Sequence, residues 1–147
     1  MKRRANALDI LIVEDSPSDV FLAQEALKQT NQDCHVHVVS DGVEAMEFLR
    51  RHGPHANAPR PDLILLDLNM PRKDGREVLM EIKTDENLKS IPVLVLTSSS
   101  AEQDINKAYS LHANCYITKP ADFARFKAVI RSIQAFWFGD VTLPPHD

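Results

Sequence analysis

The sequence predicts a doubly wound α/β fold, in which one five-stranded parallel sheet is covered by five helices. Three observations point to it. Apolar runs of strand length alternate with stretches of helical periodicity along the chain. The runs Ile10-Leu11-Ile12-Val13, Leu63-Ile64-Leu65-Leu66 and Val93-Leu94-Val95-Leu96 are apolar at every position, as strands covered on both faces require. Each run, together with Cys115-Tyr116-Ile117-Thr118, hands over to a polar or charged group: Glu14-Asp15, Asp67, Thr97-Ser98 and Lys119-Pro120 respectively. Parallel strands bring such ends to one edge, where open α/β sheets bind ligands.

Each element has its own signal. Asp9 to Val13 reads as the first strand. Ser16 caps the first helix, Pro17 takes its first position, and Val20, Ala23, Ala26 and Leu27 form its apolar stripe. His35 to Val39 is a less hydrophobic strand, suited to a place near the sheet edge. Asp41 and Glu44 resemble a capping box that opens a helix running through Leu49. His52 to Pro61 contains Gly53, Pro54, Pro59 and Pro61 and is a loop. Leu63 to Asp67 is the third strand, followed by a helix with Val78, Leu79 and Ile82 on one face. Val93 to Thr97 is the fourth strand. Ser100 with Gln103 resembles a second capping box, ahead of Ile105, Ala108, Tyr109 and His112. Cys115 to Thr118 is the fifth strand, and Phe123, Phe126, Ile130, Ile133 and Trp137 stripe the last helix. This alternation implies right-handed crossovers. Residues 1–8 read as an N-terminal tail, 9–138 as one domain and 139–147 as a C-terminal tail, with no output domain.

Composition narrows the function classes. The chain is 44% hydrophobic and 26% charged, which argues against disorder, and its net charge of -4 disfavours nonspecific nucleic-acid binding. Lys2-Arg3-Arg4 is too short a basic cluster to change that. No apolar stretch reaches membrane-spanning length, so no membrane association is expected. Two cysteines without a CxxC spacing indicate neither a disulfide framework nor a zinc knuckle, and a reducing, cytoplasmic setting is the simplest reading.

The chemistry follows from the strand ends. Glu14, Asp15 and Asp67 would be crowded like charges at one edge, and a divalent cation relieves that crowding. Magnesium suits an all-oxygen site best and neutralises an incoming phosphoryl group. Asp67 then qualifies as a nucleophile that becomes an acyl phosphate. Lys119 supplies a point charge to a phosphate oxygen, the Thr97 hydroxyl a hydrogen bond, and the Asn69 backbone carbonyl a further metal ligand.

On these residues the chain resembles the receiver domain of a two-component response regulator, which has the flavodoxin-like fold. The resemblance rests on Glu14-Asp15, on Leu66-Asp67-Leu68-Asn69-Met70-Pro71 with Asp74-Gly75, and on Thr97-Ser98, Tyr116 and Lys119-Pro120, in order along nearly the whole chain. It implies that Asp67 is the phosphoacceptor for a sensor histidine kinase. Glu14, Asp15, Asp67 and the Asn69 carbonyl would hold magnesium, Thr97 and Lys119 would read the phosphoryl group, and Tyr116 would turn to report it. Glu14 stands where the family more often has Asp. More narrowly, Glu14-Asp15-Ser16-Pro17-Ser18-Asp19, the long loop before the third strand, Leu68-Asn69-Met70-Pro71-Arg72-Lys73-Asp74-Gly75 and the aromatic end Phe136-Trp137-Phe138 are similar to the stand-alone regulators that accompany cyanobacterial phytochrome kinases. The implied output is a changed partner-binding surface toward an unknown downstream protein. No turnover as an enzyme is expected beyond self-phosphorylation from small donors and autodephosphorylation.

Other readings compete at each point. One acid alone is a surface charge or a helix cap. His35 and His37 share a strand face, but zinc lacks an evident third ligand, and solvated histidines are the default. Cys34 and Cys115 read as small apolar residues. Phe136, Trp137 and Phe138 cannot all face one side of a helix, so surplus aromatic surface implies a homodimer through the fourth helix, fifth strand and last helix. A haloacid dehalogenase-type phosphatase wants a second Asp two residues after the nucleophile, where this chain has Asn69. A flavodoxin-like FMN module wants a phosphate loop after the first strand, where Glu14-Asp15 would repel it.

Overall fold

A computed structural model describes residues 8–28 and 34–145. The Lys2-Arg3-Arg4 cluster lies outside the described residues. The elements run β1 (Leu8–Val13), α1 (Pro17–Lys28), β2 (Cys34–Val39), α2 (Gly42–Arg50), β3 (Leu63–Leu66), α3 (Gly75–Thr84), β4 (Val93–Thr97), α4 (Glu102–Ser110), β5 (Cys115–Thr118) and α5 (Phe123–Gln134). A single 3-10 turn, Gly53–His55, interrupts the loop before β3.

The five strands form one parallel sheet in the order β2-β1-β3-β4-β5. The order reverses beside β1, which pairs with β2 on one side (Val13 opposite Val39) and β3 on the other (Val13 opposite Leu66). Alternation along the strands divides the core between the two faces. Leu11, Val13, Ile64, Leu66, Val93 and Val95 pack with α2, α3 and Ala108 of α4. Ile10, Ile12, Leu63, Leu65, Leu94 and Leu96 pack with α1 and α5 through Ala23, Ala26, Leu27, Phe126, Ile130 and Ile133.

Local chemistry sets the helix starts, with some departures from the sequence reading. Asp41 caps α2 by accepting from the Glu44 N–H at 2.8 Å, but the Glu44 carboxylate reaches the Ser40 N–H instead of closing the box on Asp41. The reciprocal box belongs to α3, between Asp74 and Glu77. The capping box read at Ser100 and Gln103 does not form: α4 starts one residue later, with Ala101 in the cap position and no side-chain cap. The Ser99 hydroxyl serves there instead, accepting from the Ala101 N–H and donating to Asp104. Phe123 is not part of the core stripe of α5. It opens the helix and is 68% exposed.

Beyond Gln134 the helix widens into a π-turn, Ala135–Asp140. The extra residue per turn shifts the phase of the aromatic end, so Trp137 and Phe138 both fold back on the α1/α5 core while Phe136 stays exposed. Trp137 meets Phe136 edge to face at 6.1 Å. Past the π-turn, Leu143 is buried, so part of the segment read as a tail is packed.

Candidate functional site

The C-terminal edge of the sheet gathers the predicted residues where the strand order reverses, the place ligands take in such sheets. Asp67 leaves β3 directly, and its N–H bonds the Val13 carbonyl of β1 at 3.0 Å, which fixes it beside Glu14 and Asp15. The chain then turns tightly. The Asn69 N–H donates to Asp67 Oδ1 at 3.1 Å, and the Gly75 N–H to the Leu68 carbonyl at 2.9 Å. Gly75 has to be glycine, because a Cβ there would collide with the Asp67 carbonyl oxygen and the Leu68 backbone.

Lys119 is the hub. Its ammonium donates to Glu14 Oε1 at 2.6 Å, Asp19 Oδ2 at 2.8 Å and Asp67 Oδ2 at 3.2 Å. The Lys119 side chain is 8% exposed, the Glu14 side chain 7% and the Asp67 side chain 8%, so the charges meet where water screens them little. Burial raises Glu14, and although the Lys119 hydrogen bond works against it, the nearby Asp67 charge helps hold its pKa at about 7. For Lys119 burial acts downward, yet its bonds to Asp19 and Glu14 outweigh it and keep the ammonium firmly protonated. Asp15 is exposed, but a carboxylate oxygen from each of Glu14, Asp15 and Asp67 lies within 4.8 Å of the others. Three carboxylates therefore bond one cation, with Asp15 beside two of them, and a hard divalent ion suits the surplus oxygen charge.

Thr97 ends β4, fully buried, and its Oγ1 has no hydrogen-bond partner among the described residues. Its backbone carbonyl takes the Lys119 N–H at 2.7 Å, tying the ends of β4 and β5 together. Tyr116 is half-buried against the α2/α3/α4 core. It donates its hydroxyl to the Ser99 carbonyl at 2.8 Å, and burial raises its pKa. Phe136, Trp137 and Phe138 lie apart from this cluster, at the end of the α5 segment.

The response regulator receiver domain matches residues 10–131. The chain belongs to the response regulator receiver family. Response regulator Rcp1 of Synechocystis sp. is 50% identical over 135 residues, covering 92% of each chain. The structure of the phosphorylated cyanobacterial phytochrome response regulator RcpA superposes with a TM-score of 0.92 at 52% identity, over 95% of this chain and 99% of that one. Mn(2+)-bound Rcp1 superposes at 0.90 and 50%, over 93% and 99%. The α/β fold of five parallel strands and five helices is thus that of a receiver, and the acidic cluster is compatible with a divalent metal.

Sequence reasoning gave no role to two groups that this receiver places at the site. Asp19 sits in the first turn of α1, and its contact with Lys119 spans 100 positions of sequence, so no local spacing announces it. Arg76 bonds Asp104 at 2.7 Å, and the other oxygen of Asp104 takes the Ser99 hydroxyl at 2.5 Å, so α3 and α4 share one charge network with the loop after Thr97. That link joins residues far apart in the chain and left no local signature. The histidines are likewise less solvated than expected: His37 Nε2 lies 2.9 Å from Asp9 Oδ1, and His55 Nε2 lies 3.3 Å from Glu44 Oε2.

Proposed function

We propose that this protein is a phosphoacceptor switch in which Asp67 takes a phosphoryl group from a sensor histidine kinase. The observation that carries the reading is the Lys119 ammonium, set between Asp67, Glu14 and Asp19 on a buried floor. An Asp67 oxygen attacks phosphorus, the bond from phosphorus to the donor imidazole nitrogen breaks, and the imidazole leaves with the electron pair and takes up a proton. Glu14, Asp15, Asp67 and the Asn69 backbone carbonyl would hold magnesium, which when bound neutralises charge on the phosphoryl oxygens. Lys119 turns part of its bonding to the new anion. The unpaired Thr97 hydroxyl moves to donate to it, and Tyr116 follows into the space behind.

The relatives support a phytochrome-type kinase as donor, since RcpA is a phytochrome response regulator. Both cysteines are free, in keeping with a reducing, cytoplasmic setting. The half-exposed aromatic end supports a homodimer through α4, β5 and α5, extended by Phe136, Trp137 and Phe138. The chain acts as a signal carrier without turnover of its own substrate.

Phosphotransfer from candidate kinases, followed by intact-mass measurement, tests the reading. One phosphoryl group is expected on the parent and none on Asp67→Asn. An undiminished mass shift in that variant would overturn the assignment.

A further inference from the structure

At the opposite edge of the sheet, a cleft of about 590 Å³ opens between the end of α2, the strand entry at Arg60 and the loop after α3. Its floor is apolar, formed by the buried Leu49 and Leu88, and its walls carry Arg50, Arg51, His52 and Arg60. Against three arginines the lining holds one acid, Asp85, already 3.7 Å from Arg50. A cationic cleft is unusual in a chain whose net charge is -4.

The three arginines and His52 are not equivalent. Arg50 is held by Glu81 at 3.1 Å, and Arg60 is clamped to the Asn87 carbonyl at 2.5 Å and to Ser90 Oγ at 3.1 Å. These two are fixed wall. Arg51 and His52 are exposed, with no side-chain hydrogen bond or ion pair among the described residues. Arg51 closes α2 at φ 58, a left-handed position where glycine is preferred and a side chain costs stability. Two helices end here, and their carbonyls would repel an anion. However, the Arg51 N–H already takes the Glu47 and Phe48 carbonyls, the His52 N–H also takes that of Glu47, and at the end of α3 the Asp85 N–H takes that of Ile82.

From this we infer that the cleft binds a phosphorylated small molecule of nucleotide size, its flat apolar part on Leu49 and Leu88 and its phosphate between Arg51, His52 and Arg60. Guanidinium groups pair with phosphate in forked geometry, and an apolar floor beneath a cationic rim suits a ligand with both characters better than a bare anion. The inference does not depend on Asp67, which lies at the other edge of the sheet.

The test is titration of the full chain with ADP in a chelator-containing buffer, which keeps magnesium chemistry out, read by amide and arginine side-chain NMR shifts. Saturable shifts at Arg51, His52, Asn87 and Leu88 are expected, unchanged in Asp67→Asn. Arg51→Gly suits the left-handed turn, so the fold is retained, and it should weaken binding about tenfold or more, the loss of one charge-assisted hydrogen bond. No saturable shift at millimolar ADP, or an unchanged affinity in Arg51→Gly, would overturn the assignment. Equal affinity for inorganic phosphate, or a preference for a polyglutamate peptide over ADP, would overturn it as well.

Discussion

Replacing Thr97 by valine should make the metal-free, unphosphorylated protein more stable while removing its response. Thr97 is fully buried and its Oγ1 has no partner among the described residues, so the folded state carries a desolvated hydroxyl that unfolding returns to water. Such a group costs about 1–3 kcal/mol. Valine fills nearly the same volume without the hydroxyl and keeps the β-branching that suits the end of β4. We expect a gain of about 1–2 kcal/mol, the lower part of that range because a methyl is not a perfect replacement for a hydroxyl. With a urea dependence of about 2 kcal/mol per molar, the midpoint should rise by about 0.5–1 M at unchanged slope. The thermal midpoint should rise by about 2–4 °C for each kcal/mol in a chain of this size. The assay is urea unfolding with chelator present, comparing parent, Thr97→Val and Thr97→Ser. Serine keeps the hydroxyl and loses a methyl, so it should be destabilised yet still respond to a phosphodonor with magnesium. Valine should do the reverse. A midpoint for Thr97→Val equal to or below that of the parent would refute the reasoning, since it would mean that the hydroxyl is satisfied in the resting fold.

Other consequences can be measured with the same tools. Asp41→Ala removes the N-cap of α2 and should cost about 1 kcal/mol near neutral pH. Burial would raise Asp41, but the Glu44 N–H and Arg72 guanidinium outweigh it and hold its pKa below the usual range. That contribution is present above the unfolded carboxylate pKa and lost as pH falls through the folded one, so parent and variant should converge in strong acid. Lys119→Met leaves three carboxylates without their cation and should cost about 3 kcal/mol at pH 8 in chelator. That loss should shrink as pH falls toward 7 and then level off, because Glu14, pushed up by burial to about 7 even with Lys119 lowering it, takes its proton at still higher pH once Lys119 is gone; a loss that grows on acidification would contradict the site as described. Trp137→Ala should dissociate a micromolar dimer, by about 2 kcal/mol or more, in sedimentation across protein concentration, and a parent that stays monomeric at high concentration, with and without phosphoryl group, would rule the dimer out.

The parts of this fold that were legible in the sequence are those decided by contacts local in the chain or by uninterrupted apolar runs. The strands β1, β3 and β4 are buried throughout, and their composition left little choice of period or layer. The edge position of β2 followed from its histidines. The misreadings came where a distant partner or a change of helical pitch decided the outcome. Ser100 has the right spacing for a cap, yet Ser99 is the one held by Asp104, itself anchored by Arg76 from another helix. A 3.6-residue period was assumed through Trp137, whereas the π-turn after Gln134 lets Trp137 and Phe138 reach the same core. Asp19 was legible only as a helix residue, because its bond to Lys119 spans a hundred positions of sequence.

The two groups proposed to read the phosphoryl state differ in a way that separates their roles. Lys119 is saturated at rest: its three donors are committed to Glu14, Asp19 and Asp67. A phosphoryl group on Asp67 gives it a new partner only as an old one is released, so the exchange changes the free energy of the site by a difference between similar charge-assisted bonds. Thr97 Oγ1 has no partner among the described residues at rest, and so no bond to give up. Its donation to a phosphoryl oxygen is a full gain that exists in one state and not the other. Since a ligand shifts a conformational equilibrium only by its differential interaction with the two states, the switching free energy should reside mainly in Thr97. Lys119 should instead set how much negative charge the site can hold. Chemical-shift changes across α4 and β5 should therefore vanish in phosphorylated Thr97→Val. In a phosphorylated Lys119 variant they should persist at reduced extent. Persistence of the full change in Thr97→Val would transfer the switching role to Lys119.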